Sequence, residues 1–290
     1  MFHLLVACAG YRQIARLFGV SPQTVLGLAA RLGRHCLLFH EEWRPRGPVR
    51  EPLALDSFES FEFSQYHPTS FHVLVGQRSH YFYGFTDSEL RRKGRMTSGQ
   101  KRRRAELEAA LGRPHPRSIQ REVEELLRIV GSASKAVELH TDEHPDYPRA
   151  IRRVTHLAVA HHTISSRAAR TPQNPLFPVN LLDLLIRHSG ANHKRETIAF
   201  SKRRQSADER MWVFLVWRNY AKSFSERHPG VSPAMRLRLV DRVFRAEDLL
   251  KGRRFLTRVG LPPRWETHYH RRTPTRRIAR PHTHQLKYAF

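Results

Sequence analysis

Three strand-like runs follow one another with no helix between them: Leu53 to Phe63, Ser70 to Gln77 and Tyr81 to Thr86. Strands and helices then take turns. A helix is expected from Ser118 to Ile129, with Ile119, Val123, Leu126 and Leu127 on one face. KAVELHTDEHPDYPRAI reads as a strand ending at Asp142 and then a helix, and THLAVAHHTISS as a further strand. FPVNLLDLLIRHSGANHKRETIAFSK reads as a helix running into a loop, and QSADERMWVFLVWRNYAKSFSERH as a long amphipathic helix. A meander followed by strands reached through helices is the pattern of a mixed α/β sheet with helices packed on it.

This order, β β β α β α β α, is that of a ribonuclease H-like domain, whose first and fourth strands lie side by side. Asp56 and Asp142 would then stand at neighbouring positions over one cleft. Alternation along the first strand puts Asp56, Phe58, Ser60 and Glu62 on one face, and Ser57, Glu59, Phe61 and Phe63 on the other. Glu59 is therefore expected to be a salt-bridge partner. Glu62 is roughly 20 Å further along at about 3.3 Å per residue, too far to share a ligand with Asp56.

Such acids stand out in a chain with 51 Lys+Arg against 26 Asp+Glu and a formal charge of +25. Counterion release makes nucleic acid the expected partner of so cationic a surface. No apolar run is long enough to span a membrane. Two cysteines, Cys8 and Cys36, build neither a disulfide framework nor a zinc ribbon, which suits a reducing, cytoplasmic setting.

The N-terminal segment YRQIARLFGVSPQTVLGLAARLG has Ala15 at a helix crossing, Gly19 at a turn, and Ser21-Pro22 as cap and first helical residue. Its apolar positions are Ile14, Phe18, Val20, Val25 and Leu28. The spacing predicts a helix-turn-helix whose second helix, about Gln23 to Leu32, would offer Gln23, Thr24 and Arg31 to a DNA groove. The expected organisation is a helix-turn-helix over 1–42, a Pro/Arg linker over 43–52, a catalytic domain over 53–225 with a basic insertion at about 88–117, and a basic tail over 226–290. In the insertion, Lys101, Arg102 and Arg103 are candidate phosphate contacts, and Arg195, Lys202, Arg203 and Arg204 are candidates nearer the cleft.

Three segments carry a family resemblance: LDSFESFEF, LHTDEHPDYPRAI and the helix-loop pair ending HKRETIAFSK. On these the chain resembles the DDE transposases of bacterial insertion sequences, most closely the insertion-sequence-one type. The resemblance implies metal-dependent cleavage and strand transfer of DNA, a site for two Mg2+ ions with Mn2+ as substitute, and double-stranded DNA (element ends and target) as partner. It also implies a homodimer or larger homo-oligomer in a prokaryotic, nucleoid-associated setting. Relatives commonly place a zinc ribbon before the helix-turn-helix, and this sequence holds none.

The resemblance casts Asp56 and Asp142 as the first two acids. For the third, relatives have Glu-Arg-x-Asn where this chain has Asn180 in NLLD. Residues i and i+3 share a helix face, so Asp183 is the favoured third acid, with Glu196 and Glu209 as alternatives. The swap of acid and amide also leaves open a catalytically inactive, transposase-derived DNA-binding regulator. His161, His162, His188 and His193 do not match the spacing of a closed zinc site, and His140 shares a strand face with Asp142. The aromatics of Trp212 to Tyr220 read as core.

Overall fold

The structure is a computed structural model and describes residues 1–194 and 197–275. Its centre is a five-stranded mixed sheet ordered β3-β2-β1-β4-β5. Strands β1 (Leu53–Phe61), β2 (Pro68–Gly76) and β3 (Phe82–Glu89) form the antiparallel meander. Strands β4 (Ala136–Thr141) and β5 (Ala158–Thr163) add in parallel, with Ala54 of β1 opposite His140 of β4. This mixed sheet with its helices fits a ribonuclease H-like fold.

Three helices precede the sheet: α1 (Phe2–Leu5), α2 (Tyr11–Phe18) and α3 (Pro22–Trp43). Between the strands come α4 (Ser98–Leu111), α5 (Ser118–Val130) and α6 (Asp146–Ile151). After β5 follow α7 (Phe177–Ser189) and α8 (Arg204–Val216), which runs on as a π-helical turn over Trp217–Ala221. Short helices α9 (Pro233–Arg236), α10 (Ala246–Leu250) and α11 (Pro263–Tyr269) complete the described chain. The α5 and α6 pair lies on the Ser57 side of the sheet, where the Tyr147 hydroxyl reaches Ser57 and the Thr86 hydroxyl reaches the Glu122 carbonyl. On the opposite side Phe85 packs at a tilt against Trp212 of α8, while α7 packs on β1 and β2.

The N-terminal helices depart from the expected helix-turn-helix. The turn chemistry is present: Gly19 takes the left-handed conformation at φ 61°, and Ser21 Oγ accepts from the Thr24 N–H at 3.1 Å. Ile14, Ala15 and Val25 are buried as a helix pair requires, but Phe18, Val20 and Leu28 are exposed. The second helix does not end near Leu32. It continues to Trp43 because Cys36 to His40 are buried without a break, so that half of α3 is a core helix packed on α8. A helix buried on every side has no amphipathic period for a sequence to display.

Similar reasons explain the other differences. The expected amphipathic helix is α8, which is buried along its whole length, charged residues included. The basic insertion contains α4, started by a capping box in which Thr97 Oγ1 accepts from Gln100 N and Gln100 Oε1 from Thr97 N. The basic C-terminal stretch contains α11, whose Trp265 is fully buried and donates its indole N–H to the Phe85 carbonyl at 3.2 Å.

Gly33 lets α3 and α8 approach. A Cβ there would lie 2.6 Å from the Glu209 backbone oxygen, an atom that cannot swing aside. Alanine is the better helix former by about 1 kcal/mol, whereas overpacking costs about 1–3 kcal/mol. Gly33→Ala is therefore expected to lower stability by up to about 2 kcal/mol in urea unfolding. Gly27→Ala on the same helix, where a Cβ meets nothing within 4 Å, is expected to be neutral or stabilising.

Candidate functional site

The sheet brings the two sequence-predicted aspartates to neighbouring strands. Asp56 is on β1 two residues beyond Ala54, and Asp142 follows β4 two residues beyond His140, Ala54's partner in the parallel register. Both therefore rise from the same face at the same level. Asp183 comes from α7, the helix lying on β1 and β2.

Electrostatics connects the three. Burial pushes the Asp56 carboxyl up to about 6; the Ser57 N–H and the distant Arg170 pull it down, while the Asp142 charge raises it further. Burial and the charge of Asp56 hold Asp183 well above the usual carboxylate range, with Arg187 opposing. The Tyr147 phenol is held above its ordinary range by burial and then by Asp56, Asp142 and Asp183 together, so all three acids act on one hydroxyl.

The carboxylates are oriented from behind. Asp56 Oδ1 accepts from the Ser57 N–H at 2.6 Å, and Asp142 Oδ1 from the His144 N–H at 2.9 Å. Tyr147 donates to Ser57 Oγ at 2.8 Å, and Ser57 lies 2.6 Å from His72 Nδ1. Burial keeps His72 neutral by lowering it to about 3. With the tyrosine as donor, the serine proton goes to Nδ1, and His72 Nε2–H is left to donate to Ser88 Oγ at 3.0 Å.

The carboxylate oxygens of these residues are of the donor type that a divalent cation takes. Asp183 Oδ1 is buried and accepts no hydrogen bond, a costly state for a carboxylate unless a cation faces it. Hard oxygen donors of this kind suit Mg2+ or Mn2+. The three carboxylates do not all lie within 4.8 Å of one another, as a single ion would require. Two ions about 3.5–4 Å apart sharing one carboxylate do not require it.

Of the two rival third acids, Glu209 stands elsewhere. Glu209 is buried where α8 meets α3, and its Oε1 is 2.8 Å from Arg271 Nε. Glu196 and the candidate DNA contact Arg195 lie outside the described residues. Asn180 is one turn before Asp183 on α7. Glu59 is exposed, and its carbonyl accepts from Arg187. Glu62 is buried and takes a hydrogen bond from Thr275.

Gln23, Thr24, Arg31, Lys101, Arg102, Arg103, Lys202 and Arg203 are all exposed. Lys202 rests on the Phe200 ring at 4.0 Å, and Arg103 pairs with Glu106 at 2.9 Å. Arg204, read as a DNA contact, is instead buried and paired with Asp87 at 2.7 Å and Glu89 at 3.2 Å. Sequence reasoning missed the groove at the far end of β1, where Arg92, Lys93, Arg187 and Lys194 gather beside Glu59. Arg187 follows Asp183 by one helical turn, a spacing visible in the sequence.

A group that does have metal-ligand spacing is Asp87, Asp208 and His268, all buried, with ligand atoms within 4.8 Å. Arginines already fill it: Arg264 Nη2 is 2.6 Å and Arg204 Nε 2.7 Å from Asp87. Against the raising effect of burial, these guanidiniums hold Asp87 below the usual carboxylate range. Burial and the Asp87 charge hold Asp208 well above it, and Asp208 accepts from the Thr273 hydroxyl at 2.9 Å. This is a structural ion-pair network.

No helix among the described residues is long and apolar enough to cross a membrane. No protein-family model matches the chain, and no curated protein matches it. Among solved structures, the chain is similar to a chain of the cryo-EM structure of the simian T-cell lymphotropic virus intasome in complex with PP2A regulatory subunit B56 gamma. The match has 15% identity and a TM-score of 0.30, and covers 96% of this chain and 75% of that one. At that score the shared geometry is too slight for any property to be carried across.

Proposed function

We propose that the chain is a DDE-type transposase that cleaves and joins DNA, with Asp56, Asp142 and Asp183 as its metal-binding acids. The observation carrying this reading is the placement of three acids on neighbouring elements, β1, the end of β4 in its parallel register with β1, and α7 packed on β1, in a chain of charge +25. Two Mg2+ ions, or Mn2+ in their place, would supply activation of the attacking oxygen and charge relief at the leaving one. Asp56 would serve both ions, and Asp142 and Asp183 one each. Ser57, Tyr147 and His72 hold the Asp56 strand in place from the other side of the sheet.

Around this centre, cationic side chains would hold the duplex. Arg92, Lys93, Arg187 and Lys194 line the nearby groove, while Gln23, Thr24 and Arg31 on α3 and Lys101 to Arg103 on α4 extend the surface. Joining two element ends requires two active sites, so a homodimer or larger assembly belongs to the reading, as does a nucleoid-associated, cytoplasmic location. The swap of Asn180 and Asp183 relative to the transposases favours a second reading, a DNA-binding regulator without catalysis.

On DNA carrying the sequences that flank its own gene, Mg2+- or Mn2+-dependent strand cleavage is expected. Asp56→Asn, Asp142→Asn and Asp183→Ala should each abolish it and leave DNA binding equal or tighter, because less negative charge then faces the phosphates. Glu209→Ala should keep the activity if the protein remains folded. Wild-type binding without any cleavage would establish the regulator. Cleavage at the wild-type rate by Asp183→Ala would remove Asp183 from the site.

DNA affinity is expected to fall about 10³-fold or more between 50 and 200 mM salt, the loss for roughly six phosphate contacts. A binding titration across salt concentrations checks this, and a flat response would remove the cationic surface as the source of affinity.

The Asp56 shift gives a pH dependence. A carboxyl raised to about 6 binds more protons folded than unfolded between its ordinary pKa near 4 and 6, so folding stability falls as pH rises through that window. Asp183 acts with the same sign. Urea midpoints of the metal-free protein should therefore drop from pH 4 to 6. Asp56→Asn should flatten the drop, and millimolar Mg2+ should reduce it, because a cation takes the place of the proton.

A further inference from the structure

Strand β5 is the sheet's edge and pairs only with β4. Their parallel register sets His140 directly opposite His162, with Glu138 two residues earlier on the same face of β4. Glu138 Oε1 lies 3.6 Å from His140 Nε2 and 3.9 Å from His162 Nε2. All three ligand atoms fall within 4.8 Å, and the two imidazoles stack with centroids 4.8 Å apart.

We propose that Glu138, His140 and His162 form a second cation site, for a borderline transition ion of the zinc class, that clips the edge strand to the sheet. The donor set decides the class: two imidazole nitrogens and one carboxylate suit Zn2+, Co2+ or Ni2+, whereas Mg2+ takes oxygen. With bonds of about 2.0–2.1 Å, donors around a tetrahedral ion stand about 3.3 Å apart. The two Glu138–histidine separations need to close by about 0.3 and 0.6 Å, and the two histidine nitrogens, within 4.8 Å of each other, by up to about 1.5 Å.

Burial shows how that closure occurs. The His140 side chain is 11% exposed and fixed by packing, while Glu138 and His162 are 47% and 52% exposed and free to swing onto an ion. His161 is no ligand, because it points to the other face and meets Thr141 Oγ1 at 2.9 Å. The remaining coordination position opens to solvent, where water or a phosphate oxygen can enter. The next residue of β4's chain on this face is Asp142, two positions beyond His140 and roughly 6.6 Å along the strand. An ion here would thus stiffen the strand end that carries Asp142 without sharing that acid.

The test uses the full chain, stripped of metal with a chelator. Zn2+ should raise its melting temperature, and Co2+ should give the visible absorption of a nitrogen- and oxygen-bound ion at one equivalent. His162→Ala, which alters an exposed side chain, and Glu138→Gln should each weaken binding roughly tenfold or more. Asp56→Asn and Asp183→Ala should bind as wild type, and millimolar Mg2+ should not compete, which separates this site from the three-acid cleft. With 19 histidines in the chain, adventitious binding is the alternative. Equal Zn2+ affinity in wild type and His162→Ala, or displacement by Mg2+, would overturn the proposal.

Discussion

Asp87 is the buried charge around which the described elements are joined. It sits on β3, fully buried, and is paired with Arg204 of α8 and Arg264 of α11, while His268 of α11 lies 3.4 Å away. Taking these ions from water costs several kcal/mol apiece, recovered only while the partners remain in place. Arg204 also reaches Glu89, and Arg264 also reaches Glu122 of α5. One carboxylate thus fixes how the sheet, the long buried helix and the last described helix meet. The aromatic packing of Phe85, Trp212 and Trp265 lies beside that junction.

The junction is well separated in character from the three-acid cleft. Asp87 is compensated by two guanidiniums, whereas Asp183 Oδ1 has no donor among the described residues and Asp56 is raised by burial and then by its acidic neighbour. Two clusters of similar composition therefore have opposite chemistry. The first is neutralised by its own arginines; at the second, burial raises both Asp56 and Asp183, with Arg187 opposing at Asp183. A buried group left in that condition is a candidate for function rather than for stability.

Much of the fold was legible because strands and amphipathic helices leave a period. The five strands, α5 and α7 appear in the sequence within a few residues of their observed ends. That the strands carrying Asp56 and leading to Asp142 are neighbours was legible from the ribonuclease H-like strand order, and β1 does lie beside β4. What was hidden had no period: Cys36 to Glu41 of α3 and all of α8 are buried without a break, polar residues included. Arg204 looked like one more surface cation in a basic run, and only the distant Asp87 explains its burial. The basic groove was equally hidden, because Arg92 and Lys194 are brought together by the chain's tertiary course.

The position of α11 has a consequence for how the chain acquires its structure. Trp265 fills the space over Gly84, where even a Cβ would come within 2.7 Å of the indole, and Arg264 supplies half of the charge that Asp87 needs. During synthesis the meander emerges some 180 residues earlier, as the separation of Trp265 from its Phe85 acceptor records. For that interval the sheet face at β3 is uncovered and its aspartate only partly neutralised. The nascent domain can collapse, but it cannot lock until the ribosome has released the segment around residue 265. Folding is thereby made late and long-range, the regime in which exposed sheet surface is most open to misassembly.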